Sequence, residues 1–185
     1  DGSFSWEDLH ARYTAELANG LGNLASRATA MVGRYRDGLL PAAHDFSPAE
    51  QEIIDALAAA VPVADAAFVA LDFQGGIAAV RELVEKVNGY VTETEPWALA
   101  KDPANAGRLD VVLYTICEAL RAIAVLYNPV MPKAMASLWE QLGAAADLGP
   151  IAEQRIADVA AWGQLPAGAR VTKGDALFPR IDADA

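Results

Sequence analysis

The sequence contains very few of the residues from which disulfides and metal sites are built. Cys117 is the single cysteine among 185 residues, and His10 and His44 are the two histidines. One thiol excludes an internal disulfide and a zinc site made of cysteines, and two distant histidines do not indicate a metal site. Because Cys117 lies in an apolar run, we expect a buried, unreactive thiol, with both histidines at the surface.

Recognisable catalytic motifs are also missing. No glycine-rich phosphate-binding fingerprint follows a predicted strand, and neither histidine belongs to a Ser-His-Asp or Cys-His set. The carboxylate pairs Glu7-Asp8 and Glu82 with Glu85 have no nucleophile or ligand cluster beside them, so we interpret them as solvated helix faces. No apolar run reaches the ~18–20 residues that span a membrane, and no signal peptide is visible. We therefore expect a cytoplasmic protein.

Positive charge is scarce, because 14 basic residues face 25 acidic ones and the net charge is −11. Proteins that rely on phosphate contacts are normally basic, so we expect no DNA partner. Recognition of unpaired RNA bases needs few charges, since it depends on stacking and on hydrogen bonds to base edges. A local basic patch does exist in the first forty residues and consists of Arg12, Arg27, Arg34 and Arg36.

Alanine and helix-spaced apolar residues dominate the chain, of which 54% is hydrophobic. Alanine is the best helix former, and alternating β-branched runs are scarce, so we predict an all-α helical bundle. The predicted helices cover about 6–36 with a bend near Gly20 and Gly22, 48–61, 63–72, 75–88, one turn from Pro96, 108–127 and 132–142. Their signals include N-caps at Ser5 and Ser47, a break or kink at Pro62, and a stop at Asp37-Gly38.

The chain is predicted to divide unequally. Residues 1–145 would form the bundle, and residues 146–185 a C-terminal helix and irregular tail that packs back on the bundle or on a domain outside this chain. The helical pattern fades from about residue 144, which is the basis for this boundary.

Several segments of the chain match the motifs of a known protein family, in the same order along the sequence. They are Phe4 to Glu7, Arg12 to Leu24, Asn88 to Val91, Pro96-Trp97, Tyr127 to Pro132 and Leu177 to Ile181. From about residue 3 to about residue 182 the chain resembles the C-terminal anticodon-binding domain of bacterial methionyl-tRNA synthetase. The stretches 38–75 and 143–172 are the least typical of that family.

This resemblance implies a role within a larger enzyme. The ATP-binding sequences of class I synthetases are missing here, so we expect a domain cut from a longer methionine–tRNA ligase and inactive by itself. The resemblance implies that the parent enzyme uses ATP and methionine, while this fragment needs no cofactor. Its implied partners are the anticodon loop of tRNA(Met) and the N-terminal catalytic domain of the same protein.

A binding site for an unpaired base is predicted on one helix and one loop. Asn23 and Arg27 lie four residues apart and share a helical face, on which Arg34 also lies. Trp97 offers a stacking surface, and Pro96 constrains its approach. In the family that the chain resembles, the residues corresponding to Asn23, Arg27 and Trp97 are associated with the CAU anticodon, especially its first cytosine, and Pro96 belongs to the same wall.

Other interpretations stay open at this point. The chain could be the equivalent domain of the valine, isoleucine, leucine or cysteine enzyme, or a helical protein-interaction module without an RNA role, for which acidity would be natural. Outside the family context, a tryptophan after a loop is usually a core anchor. We expect packing roles for Trp6, Trp139 and Trp162.

Overall fold

The computed structural model describes residues 5–181, which fold into a helical bundle. The helices are α1 (Trp6–Arg12), a π-helix (Tyr13–Gly22), α2 (Asn23–Arg36), α3 (Pro48–Val69), α4 (Phe73–Thr94), α5 (Pro96–Leu99), α6 (Ala106–Tyr127), α7 (Pro132–Gln141) and α8 (Ala144–Leu148). A short 3₁₀ turn at Pro103–Asn105 lies between α5 and α6, and two more follow α8, at Ile151–Glu153 and Ile156–Asp158. Within residues 5–181, extended pairing is limited to one antiparallel bridge between Leu39 and Arg170. The all-α prediction is confirmed.

Helix α6 forms the centre of the bundle. Every residue from Val111 to Tyr127 is buried, and helices α2, α3, α4, α5 and α7 all pack against it. A helix that is apolar on all sides is stable only when other elements surround it. The position of each outer helix is therefore set by its contact with α6.

The N-terminal helical stretch changes its helix type along its length, and the bend near Gly20 and Gly22 stays a prediction. The Ser5 hydroxyl accepts a 3.2 Å hydrogen bond from the Asp8 backbone N–H, as predicted for an N-cap. Residues 13–22 wind as a π-helix, a rare form that is frequent near functional sites. Helix α2 ends where predicted, at Asp37 in the left-handed conformation with φ 53°. The Gly38 N–H then returns to the Val32 carbonyl at 3.2 Å.

Two helix boundaries were predicted wrongly. A break at Pro62 does not occur, because α3 continues through it while Val61 and Ala64 keep burying the apolar stripe. That burial outweighs the ~3 kcal/mol cost of an interior proline. The predicted stop at Asn88-Gly89 is also wrong, since Tyr90 and Val91 extend the buried face of α4 to Thr94.

The start of α4 also differs slightly from the prediction. It begins at Phe73 rather than at Gly75-Gly76, and Asp72 is its N-cap, with its carboxylate accepting from the Gly75 N–H at 3.0 Å. Gly76 lies where a β-carbon would come within 2.6 Å of the Phe68 ring. The glycine therefore allows the close approach of α3 and α4.

The segment after α8 is held against the bundle by a buried carboxylate. Glu118 of α6 accepts backbone N–H bonds from Gly163 and Gln164 at 2.9 and 3.0 Å, and from Leu165 at 2.9 Å. The guanidinium of Arg121 donates to the same carboxylate at 2.8 and 3.0 Å. Both side chains are almost fully buried. The division of the chain at residue 145 itself stays a prediction.

Farther along, the tail reaches the N-terminal helices. The Tyr13 hydroxyl donates to the Pro179 carbonyl at 2.7 Å, and its ring meets Phe178 edge to face. A β-carbon on Gly22 would lie 3.3 Å from the Phe178 ring. A hydrogen bond of 2.9 Å also joins a ring nitrogen of His10 to the Ile181 carbonyl.

The remaining sequence predictions had mixed outcomes. Cys117 is fully buried, as predicted, and burial beside Glu118 raises the pKa of its thiol to about 12. Trp139 and Trp162 pack in the core as predicted, but the prediction for Trp6 is wrong, because 74% of it is exposed. It lies on α1, which buries none of its residues. His44 is at the surface as predicted, whereas His10 is half-buried against the tail.

Membrane crossing requires a helix of sufficient length and apolarity. None of the helices described between Ser5 and Ile181 has that combination.

Glu118→Ala is expected to lower the free energy of unfolding by about 3–5 kcal/mol, because it leaves Arg121 as an uncompensated buried charge. Chemical denaturation measures the change. Glu85→Ala is the matched control, since Glu85 pairs with Arg81 at the surface, and removing an exposed pair costs at most about 1 kcal/mol. Equal losses of stability in the two variants would contradict the stabilising role of the buried Glu118 carboxylate.

Candidate nucleic-acid interface

The predicted arginine and tryptophan meet at the surface. The guanidinium carbon of Arg27, on α2, lies 5.0 Å from the centroid of the Trp97 ring, on α5. This distance is within the range of a cation–π contact. Trp97 remains 37% exposed. A flat ring beside a guanidinium is therefore available at the surface for stacking.

The chain geometry before Trp97 explains how the indole is presented. Glu95 adopts a left-handed conformation with φ 42°, and the following proline disfavours the right-handed helical conformation at this position. Helix α4 therefore stops, and α5 starts with Pro96 as its first residue. Pro96 is buried and Leu99 packs against the core, while Trp97 stays on the outer side.

A shallow depression of about 280 Å³ lies next to this pair. Its lining consists of Arg27, Ala30, Met31, Arg34, Tyr35 and Trp97. The guanidinium carbon of Arg34 lies 5.7 Å from the centroid of the Tyr35 ring. The charged groups of the lining are thus two arginines, although the chain as a whole is strongly acidic.

Not every predicted site residue reaches the depression. Arg27, Arg34 and Trp97 line it together, whereas Asn23 and Pro96 do not. Asn23 is exposed at the first position of α2, about 6 Å before Arg27 along the helix axis. It can contact a ligand that extends beyond the depression toward the π-helix.

Sequence reasoning missed both Tyr35 and Met31 as residues of the candidate site. Met31 is four residues after Arg27 and 9% exposed, so it contributes the floor of the depression. Tyr35 stands between two arginines in the sequence Arg34-Tyr35-Arg36. An aromatic residue within a basic patch is the signal that could have identified it.

A buried carboxylate contacts the two helices, α4 and α6, that flank the Trp97 segment. Glu50, in the first turn of α3, has no exposed surface and accepts hydrogen bonds from Arg108 at 2.8 Å to each of its oxygens. It also accepts from the Tyr90 hydroxyl and, at 2.8 Å, from the Ser47 backbone N–H. The last contact confirms the predicted capping box. Burial by itself raises the pKa of Glu50, but these hydrogen bonds outweigh it and lower the pKa to about 2.

Solved structures that match this fold include enzymes of one class, the aminoacyl-tRNA synthetases. The free form of Mycobacterium tuberculosis methionyl-tRNA synthetase matches with a TM-score of 0.88 and 29% sequence identity, covering 98% of this chain and 36% of that one. The same enzyme bound by methionyl-adenylate matches with a TM-score of 0.84, covering 97% of this chain and 34% of that one.

The sequence comparisons specify the family. Residues 40–185 match the model described as the anticodon binding domain of methionyl tRNA ligase. The chain is 58% identical to a methionine–tRNA ligase of Streptomyces coelicolor, covering 98% of this chain, and 40% identical to one of Deinococcus radiodurans, covering all of it. The chain belongs to the family of methionyl-tRNA ligase anticodon-binding domains.

The chain is much shorter than these relatives. It spans 34% of the Streptomyces protein and 26% of the Deinococcus protein. The family model begins at residue 40, so helix α2 with Asn23, Arg27 and Arg34 is covered by the relatives and the solved structures rather than by the model.

The free energy of unfolding is expected to depend on pH through Glu50. Its pKa is lowered from about 4.5 to about 2 on folding, so its contribution is complete above pH ~5 and is lost as the pH falls toward 2. The shift corresponds to about 3 kcal/mol. Urea unfolding at several pH values should therefore show wild type more stable than Glu50→Gln at pH 6, with the gap shrinking toward pH 2.

The control for this experiment is the exposed residue Glu85. Glu85→Gln removes only an exposed ion pair and should differ from wild type by at most about 1 kcal/mol. A constant gap between wild type and Glu50→Gln from pH 6 to pH 2 would contradict the lowered pKa.

Proposed function

We propose that this chain is the anticodon-binding domain of a methionine–tRNA ligase and that it recognises the CAU anticodon of tRNA(Met). The observation that carries the proposal is the exposed pair of Arg27 and Trp97, 5.0 Å apart, in a member of this family. The depression beside the pair also supports the proposal, because two arginines and two aromatic rings line it.

Recognition of the first anticodon base rests on stacking and hydrogen bonds to the base edge. An unstacked cytosine lies against the Trp97 ring, a contact worth ~1–3 kcal/mol per base. The rigid fork of donors on Arg27 addresses the O2 and N3 acceptors of cytosine. Asn23, with both a donor and an acceptor, contacts a neighbouring edge or the sugar, and Arg34 contacts an adjacent base or phosphate.

Discrimination between the correct anticodon base and a wrong one then follows from unsatisfied hydrogen-bond groups. A wrong base leaves buried donors without partners, which costs about 1–3 kcal/mol for each group. The acidic remainder of the chain does not oppose this mode of binding, because base stacking needs little phosphate attraction. It also disfavours misplaced RNA elsewhere on the surface.

The proposed ligase attaches methionine to tRNA(Met) with ATP, on a catalytic domain that precedes this chain in the same cytoplasmic protein. The domain docks the anticodon so that the distant acceptor end enters the catalytic site, and the coupling is mostly geometric. Residues 1–145 form the recognition bundle in this proposal. Residues 146–185 form the C-terminal helix and tail, which pack back on the bundle or on the catalytic domain.

Two rivals remain as outcomes of the test. The equivalent domain of another class I synthetase would prefer a different anticodon, although the family match favours methionine. A protein-interaction module without an RNA role would bind no stem-loop selectively.

Trp97→Ala is expected to remove most of the preference for a CAU stem-loop over one whose first base is changed, because the stacking surface for that base is lost. Titration of labelled stem-loops at low salt, followed by fluorescence anisotropy, measures both affinities. Loss of one stacked base corresponds to about a 5- to 150-fold weaker affinity for the CAU loop.

Trp6→Ala is the matched control for this titration, since Trp6 is also an exposed tryptophan but lies on α1. It should bind as wild type does. Equal binding of all stem-loops by wild type would defeat the assignment to methionine.

Arg27→Lys is expected to retain most of the salt-dependent affinity but to lose base preference, because lysine keeps the charge and not the planar fork of donors. The preference should fall about tenfold or more, as for one unpaired buried group. Stem-loop titration over a range of salt concentrations separates these effects. Arg155→Lys, at an exposed surface pair with Asp158, serves as the control, and a wild-type preference in Arg27→Lys would exclude edge recognition by Arg27.

A further inference from the structure

The segment that carries Trp97 is held at both ends by one buried carboxylate. Residues 95–105 connect α4 to α6. The Tyr90 hydroxyl, in the last turns of α4, donates a hydrogen bond to the Glu50 carboxylate, and Arg108, in the first turn of α6, donates hydrogen bonds to both oxygens of Glu50 at 2.8 Å. Glu50 belongs to neither helix, because it lies on α3. From α3, Glu50 therefore links the helix before the segment to the helix after it.

A second link connects the same turn of α6 to the helix that carries Arg27. Arg36, at the end of α2, donates to the Asp110 carboxylate and, at 3.0 Å, to the Ala106 carbonyl. Helices α2 and α5 both pack against α6. The separation of Arg27 and Trp97 therefore depends on how each helix is fixed to the first turns of α6.

We propose that Glu50 is a positioning residue for anticodon recognition, which sets the place of the Trp97 ring through Tyr90 and Arg108. Arg36 and Asp110 provide the matching link on the side of Arg27. This inference rests on the proposed function, since it assigns Glu50 a role in the selectivity of that same site. Glu50 itself does not line the depression.

The geometry indicates a positioning role in addition to the contribution of Glu50 to stability. Apolar residues of similar volume often stabilise a fold as well as a buried ion pair does, so stability alone does not account for these polar links. Glu95, directly before Pro96, is held in a left-handed conformation that costs a non-glycine residue free energy. Such a conformation persists only where the surroundings over-determine it. The Glu50 links on both sides of the segment are surroundings of that kind.

The first test observes Trp97 without RNA. The chain has four tryptophans, so labelling with 5-fluorotryptophan gives a small set of ¹⁹F resonances, and Trp97→Phe assigns one of them. In Tyr90→Phe and Glu50→Gln, the Trp97 resonance is expected to shift or broaden, while that of Trp139 keeps its position.

Glu118→Gln is the matched control, because it weakens a different buried carboxylate cluster that holds the tail. It destabilises the fold but should leave the Trp97 resonance in place. Tyr90→Phe removes one hydroxyl and keeps the ring, so it is the variant that retains folding if Glu50→Gln does not.

The second test measures selectivity. Tyr90→Phe and Glu50→Gln are expected to reduce the preference for a CAU stem-loop by about fivefold, the size found for residues that couple to a site without touching its ligand. Glu118→Gln should keep the wild-type preference. In a Trp97→Ala background, Glu50→Gln should have no further effect, because the ring through which it acts is gone.

The outcomes separate the two proposals. An unchanged Trp97 resonance and unchanged preference in folded Tyr90→Phe and Glu50→Gln overturn the positioning role and leave the proposed function standing. A Trp97 resonance that shifts in the variants, combined with a wild-type chain that prefers no stem-loop, overturns the proposed function, and with it the role of Glu50 in recognition. An equal loss of preference in Glu118→Gln would show general destabilisation and would also overturn the inference.

Discussion

Burial of α6 on all sides is the constraint on which the rest of the molecule depends. From Val111 to Tyr127 each residue is enclosed, so five helices must lie against this one. Arginine and carboxylate groups are tolerated inside this packing only as paired groups, as Glu118 and Arg121 show. The paired groups also give the outer elements defined attachment points. The tail is attached at Glu118, and the segment before α6 is attached through Arg108 and Glu50.

The candidate binding face follows from this arrangement rather than from any one helix. Arg27 and Trp97 are seventy residues apart in the chain, yet α2 and α5 carry them to one side of α6, where they meet at 5.0 Å. Under the proposed function, the contact also gives a way for an acidic chain to bind RNA. Its positive charge is concentrated beside aromatic rings, where a single base can be held, instead of being spread along a surface that would follow a phosphate backbone.

Helix termini with a local capping signal were easier to predict than termini set by burial. The caps at Ser5 and Ser47 were predicted correctly, because a side chain that satisfies its own helix terminus acts locally. The ends at Pro62 and Gly89 were predicted wrongly because each depends on burial. Val61 and Tyr90 bury surface against neighbouring helices, and that gain exceeds the local cost of proline or glycine. Trp6 shows the reverse, since an apolar residue at the edge of the bundle remained exposed.

The sequence by itself determined the helical class, the family and the residue types of the candidate site, because periodicity, caps and ordered motifs are properties of the linear chain. Only the tertiary structure decided that Tyr35 and Met31 join Arg27 at the depression, that Asn23 lies outside its lining, and that Glu50 links both ends of the Trp97 segment. These relations join residues on different helices. Their distances depend on how side chains fill the space around α6, and packing of that kind is not encoded in any local pattern.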